Sequence, residues 1–207
     1  GSPDIDIMYS DKLPSLEDTF NHYEIDFSDY NIFMYHPVTT ESSLSEHINA
    51  LVDGLLKSNE NYIVIYPNND LGSNTIIDAF NKLSDNPHFR IFPSVKFEHF
   101  LTMLKNSKCL IGNSSSGIRE SGIYGIPAID IGTRQQGRYS PTLCPHIIHI
   151  DEDITELLNA LDSTKAMSPT PISIFGDGDS DTIFIETLKN PQIWNSKLQK
   201  RFIDVTF

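Results

Sequence analysis

The chain has 207 residues, 39% of them apolar and 21% charged, which is ordinary for a globular protein and enough for one sizeable core. A formal charge of −13 argues against nucleic acid and anionic membrane surfaces as partners, because both reward a basic face that releases counterions. No run approaches the roughly 20 apolar residues that span a bilayer, the opening GSPDIDIMYS has no charged-then-apolar leader, and Cys109 and Cys144 do not make a disulfide framework. The expectation is a soluble, cytoplasmic, single domain over 1–207.

Short β-rich runs alternate with amphipathic helical stretches, the pattern of βαβ units and a Rossmann-like parallel sheet with helices on both faces. NIFMYHPV (31–38) predicts a strand and SSLSEHINALVDGLLKS (42–58) a helix. NYIVIYPNN (61–69) is the next strand, GSNTIIDAFNKLS (72–84) a helix, FRIFPSV (89–95) a strand and FEHFLTMLKNS (97–107) a helix. KCLIGNS (108–114) predicts a strand that runs into a serine-rich turn and a helix starting near Ser115. IPAIDIGT (126–133) and HIIHID (146–151) complete about six strands, and ITELLNALDS and SDTIFIETLKN predict terminal helices. MSPTPISIFGDGDSD (167–181) is expected to carry the chain over the surface between them.

Ligands of such sheets bind beyond the carboxyl ends of the strands. That draws attention to His36, Asn68, the serines at 114–116, and Arg134. Backbone N–H groups at a helix start near Ser115 would favour a phosphate. A helix N-cap needs only one serine, and here there are three in a row. Arg134 suits bidentate phosphate contact but equally a plain surface position. From the residues alone Glu120 is better accounted for as a first-turn partner of the helix dipole than as an acceptor for ribose hydroxyls. His36 at a strand end is either a structural hydrogen-bonder or a phosphate donor near neutral pH. Phe97 and Phe100 share helical spacing with Met103 and Leu104, and the aromatic at the helix entrance is placed to stack on a base. No metal-ligand pattern occurs: GDGDSD lacks the spacing and closing Glu of a calcium loop. GNSSSG has no lysine and is not a P-loop.

In this order HPVTTE, YPNND, IGNSSSGIRE, GIPAIDIGTRQQGR and GDG resemble the UDP-N-acetylglucosamine 2-epimerase family over nearly the whole chain. NSSSGIRE with GTRQQGR looks more like the hydrolysing branch, whose products serve sialic and legionaminic acid synthesis; the non-hydrolysing branch more typically has an aspartate in place of Ser114. The resemblance implies the C-terminal, nucleotide-binding half of a glycosyltransferase-B type fold. It implies that Ser114, Ser115 and Arg134 hold the diphosphate of a UDP-sugar, Glu120 the ribose hydroxyls and Phe97 the uracil, with Asn68 and His36 near the nucleotide and phosphate and His36 assisting the leaving group. It implies no cofactor and no metal, acid and base carboxylates in an absent N-terminal domain, little or no turnover from this half alone, and a full-length protein free to form a homo-oligomer. A glycosyltransferase of the same architecture and a non-catalytic nucleotide-sugar sensor are the competing readings.

Overall fold

The computed structural model describes residues 1–40 and 43–195. Glu41, which ends HPVTTE, and Ser42, the first residue of the expected helix, lie outside the described residues.

Six strands form one sheet: β1 (Asn31–Met34), β2 (Tyr62–Ile65), β3 (Phe89–Phe92), β4 (Leu110–Gly112), β5 (Ala128–Ile131) and β6 (Ile147–Ile150). Their order is β3-β2-β1-β4-β5-β6 and every neighbouring pair is parallel. Both faces are covered, so central strands read as apolar runs rather than alternating ones, as YIVI in β2 does with all its residues buried. Within a strand, successive side chains enter opposite layers. Phe33 and Val64 point to the layer of α3 (Leu44–Ser58), α4 (Ser73–Phe80) and α7 (Ile154–Thr164), where Leu51, Phe80 and Leu157 are buried. Ile32 and Ile63 point to the layer of α5 (Phe97–Lys105), with Leu101 and Met103, and of α1 (Pro3–Met8), with Ile5 and Met8. The expected α/β fold and its six parallel strands are therefore present.

The chain builds outward from β1 to β2 to β3 and then returns to place β4 against the other side of β1. The β1/β4 boundary is thus the topological switch point, and its carboxyl-terminal end opens a crevice. Met34 pairs with Gly112 at that end. Gly112 has φ +130°, and a Cβ there would lie 1.9 Å from the Met34 carbonyl oxygen, so only glycine lets the two strand exits close up.

Two regions depart from the sequence reading. Before β1, where no element was expected, the chain forms α1 and α2 (Leu16–Tyr23); the Ser15 hydroxyl caps α2 by accepting from the Asp18 N–H at 3.0 Å. After β4, the helix expected from Ser115 is instead a 3₁₀ turn over Ser115–Gly117 followed by a five-residue α6 (Glu120–Tyr124). The Gly117 and Ile118 amides bond the Ser114 and Ser115 carbonyls at 3.1 and 3.0 Å, the tighter i to i+3 pattern. Gly125 in the left-handed region ends α6. So short a helix carries little macrodipole, and the affinity for anions inferred from a helix start must come from local donors instead.

Beyond α7 the segment 167–179 has no helix or strand, in line with the expected surface crossing. It leads to α8 (Ser180–Lys189) and α9 (Pro191–Trp194), in which no residue is buried. Among the described residues no helix is long and apolar enough to cross a membrane.

Candidate functional site

His36 leaves β1, Asn68 leaves β2, Asn113 to Ser116 leave β4 and Arg134 leaves β5, so the carboxyl end of the sheet gathers them. The knot is Asn113, which is fully buried. Its Oδ1 accepts from the His36 backbone N–H at 2.7 Å, and its Nδ2 donates to the His36 carbonyl at 2.8 Å. Its own carbonyl accepts from Arg134 Nη1 at 3.0 Å and from Gln135 Nε2 at 2.7 Å.

The Asn68 backbone N–H donates to His36 Nδ1 at 3.0 Å. A nitrogen that accepts carries no proton, so the neutral ring bears its hydrogen on Nε2. Burial, and then the charge of Arg134, pull the His36 pKa down from 6.5 to about 4. The histidine is therefore a neutral hydrogen-bond donor at physiological pH rather than an imidazolium. The Asn68 side-chain amide is occupied by Asp70.

Arg134 is half-buried and lies within the field of Arg138 and Asp70. It remains charged, as an arginine does in any folded protein. The two arginines concentrate positive charge at one edge of a chain whose net charge is −13.

The three serines divide their work. Ser114 is buried and caps the 3₁₀ turn, accepting from the Ser116 N–H at 3.3 Å, so the bland N-cap role applies to it. Ser115 is exposed. Ser116 lines a cavity of about 230 Å³ with Met34, Ile65, Val95, Phe97 and Phe100. Phe100 is core at its base, while Phe97 at the start of α5 stays 38% exposed. That is the geometry expected of an aromatic left free to stack on a planar ligand.

Glu120, the first residue of α6, is only 9% exposed. Its Oε2 has no hydrogen-bond partner among the described residues. Burial pushes its pKa up, with the Glu120 backbone N–H, Arg119 and Ser116 pulling down and Asp4 pushing up. A buried carboxylate oxygen without a donor is costly, so simple dipole compensation does not account for it. Arg119 points away from the crevice, donating to Ser2 Oγ and Asp4 Oδ2 at 2.6 Å each and lying 5.9 Å from the centre of the Phe175 ring. Among the described residues no group of three or more His, Cys, Asp or Glu side chains is placed to hold a metal ion.

The sequence reading singled out Ser116 among the serines at 114–116 but not Asn113 or Gln135. Both sit inside quoted motifs, Asn113 as the polar residue directly after β4 and Gln135 beside Arg134 in the turn after β5. The strand exits thus gather a neutral imidazole N–H, a guanidinium and the serine turn, and that turn connects through Ser116 to an apolar slot and to Glu120, an acceptor short of a donor.

Sheet order and site define the class: a doubly wound α/β unit with a donor cluster at its switch point. The chain belongs to the UDP-N-acetylglucosamine 2-epimerase family, whose model matches residues 1–189. It is 41% identical over 210 residues to a Neisseria meningitidis UDP-N-acetylglucosamine 2-epimerase, covering 99% of this chain and 55% of that protein. It is 29% identical over 205 residues to a Legionella pneumophila UDP-N,N'-diacetylbacillosamine 2-epimerase (hydrolyzing), covering 97% of this chain and 53% of the relative. In fold it resembles the Methanocaldococcus jannaschii UDP-GlcNAc 2-epimerase solved with UDP-GlcNAc and UDP, with a TM-score of 0.68 at 17% identity over 90% of this chain and 51% of that one. The chain thus spans about half the length of the relatives it matches.

Proposed function

We propose that this chain is the uridine-diphosphate-binding half of a hydrolysing UDP-N-acetylglucosamine 2-epimerase. The observation that carries the reading is the buried Glu120, whose Oε2 lacks a donor and whose carboxyl interacts with Ser116 of the Phe97 slot, on the segment that follows the Asn113 exit held by Arg134. A uridine diphosphate offers a complement to each: a planar base for Phe97, a diol of two donors for Glu120, and an anion for Arg134, Ser114, Ser115 and His36 Nε2–H. Asn68 contributes by holding the His36 ring. In the reaction, the C2–H bond and the C1–O bond to UDP break as a C1=C2 double bond forms; water then adds across it to give the free 2-acetamido sugar inverted at C2. His36 and Arg134 meet charge as it develops on the departing diphosphate.

The groups that take the C2 proton belong to the remainder of the protein. The length of the relatives supports this, as does α8, whose exposed apolar side chains include Phe184 at 62%, followed by Trp194 at 69% in α9, a face suited to be covered by further polypeptide. The hydrolysing outcome is supported by the GTRQQGR pattern and by the Legionella relative's designation.

Calorimetry with UDP and uridine tests the binding half of the proposal: UDP should bind more tightly, and equal affinities would remove the diphosphate from the site. Product analysis of the full-length protein with UDP-N-acetylglucosamine tests the chemistry. Free UDP with N-acetylmannosamine is expected, and UDP-N-acetylmannosamine as the sole product would assign the non-hydrolysing reaction.

A further inference from the structure

We infer that Asn113 and Gln135 are positioning residues that aim Arg134 and His36 at the bound diphosphate, a role that rests on the reading of the site proposed above. Asn113 joins the exits of three strands. Toward β1 it makes three hydrogen bonds: the paired side-chain contacts to the His36 backbone at 2.7 and 2.8 Å, and its own N–H to the Met34 carbonyl at 3.2 Å. Toward β5 its carbonyl receives Arg134 Nη1 at 3.0 Å and Gln135 Nε2 at 2.7 Å. Only a side-chain amide supplies a donor and an acceptor in the fork that the His36 backbone requires; aspartate lacks the donor and leucine lacks both.

Gln135 is fully buried. Its amide orientation is fixed by chemistry, because turning it over would set Oε1 against the Asn113 carbonyl, acceptor against acceptor. In the orientation observed, Oε1 is left without a partner among the described residues. A methionine would fill the same space with no orphaned acceptor, so packing does not explain the glutamine. Its donor does: it occupies one lone pair of the Asn113 carbonyl and leaves the other for Arg134. Arg134 thereby commits one of its five N–H groups to the protein and presents the rest to a ligand, with the long side chain already ordered. Ordering it in advance removes a cost that binding would otherwise bear.

The test is a cycle of Gln135→Met, Arg134→Ala and the double variant in the full chain, with affinities for UDP and uridine measured by calorimetry and stability by thermal melting. Gln135→Met should weaken UDP about five- to tenfold, leave uridine affinity unchanged and shift the melting temperature little. In the Arg134→Ala background the same substitution should have no further effect on UDP, because the residue acts through the guanidinium. A parallel loss for uridine and UDP, no loss for either, or independent effects of the two substitutions would overturn the relay. A wild-type chain that fails to prefer UDP over uridine would instead sink the site reading itself, and the relay with it. A wild-type preference that survives Gln135→Met intact sinks the relay alone.

Discussion

Two polar clusters, one at each end of the sheet, bury their side chains in opposite ways. At the amino-terminal end, Asn31 is 1% exposed and donates to Glu60 at 2.7 Å, Glu60 pairs with Lys165 at 3.1 Å, and the Tyr62 hydroxyl meets Ser58 Oγ at 2.6 Å. Each group of that cluster finds its complement within the protein, whereas among the described residues Arg90 Nε at the start of β3 and His146 Nδ1 just before β6 do not. At the carboxyl-terminal end, Glu120 Oε2 and Gln135 Oε1 are buried without a partner, and an arginine and a neutral histidine stand beside them. Desolvated polar groups are normally satisfied, so the first cluster reads as structure and the second as a surface completed by something else. The contrast supports the binding role proposed for the second cluster without reference to either cluster's composition.

The sharpest way to break this comparison is Glu120→Gln. At the binding end it should weaken UDP and uridine alike by about 1.5 to 3 kcal/mol, the scale of charged hydrogen bonds to the ribose diol. Stability should hold or rise, because burial disfavours the carboxylate that the variant removes. Unchanged affinity with a lowered melting temperature would return Glu120 to a structural role. Asn31→Ala at the other end should do the reverse, costing about 1 to 3 kcal/mol of stability by stripping a donor from Glu60 while leaving UDP affinity untouched. Denaturant unfolding and calorimetry on the same two proteins give all four values. Lys165→Ala should change neither, since its ammonium is well exposed and its pairs with Glu60 and Asp162 are screened by salt; a measurable loss of UDP binding in this variant would join the two ends and undo the distinction.

The fold was legible because parallel strands buried on both faces announce themselves: YIVI is an apolar run of strand length, AIDI one interrupted only by Asp130, and amphipathic helices lie between the strands. The first 30 residues were not, although Ser15 followed three places later by Asp18 is an N-terminal capping signal. Helices of six and eight residues are too short for periodicity to stand out, and they form because Ile5, Met8 and Thr19 find burial against the rest of the chain. α6 is shorter than its sequence suggests for a related reason. Gly117 and Gly122 lower helix propensity, and the turn is set by how closely it packs: a Cβ on Gly117 would come within 3.2 Å of Leu110. At the candidate site, residues just after strands stand out by position, and Glu120 and Phe97 enter the proposal through family resemblance. Asn113 and Gln135 were not legible, because what distinguishes them is which backbone groups they reach, and that is a property of three strand exits brought together by the sheet order.

The smallest expected effect is the most informative about His36. With its pKa held at about 4 by burial and by Arg134, against an ordinary 6.5, the folded protein refuses a proton that the unfolded chain accepts. Its contribution to stability is therefore fully present above 6.5 and is lost as pH falls from there through about 4. Glu120 and Asp130, both raised by burial, work in the opposite sense, since the folded state takes up their protons first. A melting curve sums these, so the ring itself should be followed, by its chemical shift against pH. Its midpoint should lie near 4 in the free chain. For binding the consequence is a flat profile: above about pH 7 the terminal phosphate of UDP, with a second ionisation near 6, has already lost its proton, and His36 is already neutral. UDP affinity should then not change between about pH 7 and 8.5. An imidazolium that binds the phosphate would behave differently, with affinity falling up to about tenfold for each pH unit above the ring's free pKa. Such a slope, absent in His36→Gln, would show that the histidine meets the diphosphate as a charge and that burial does not hold it neutral.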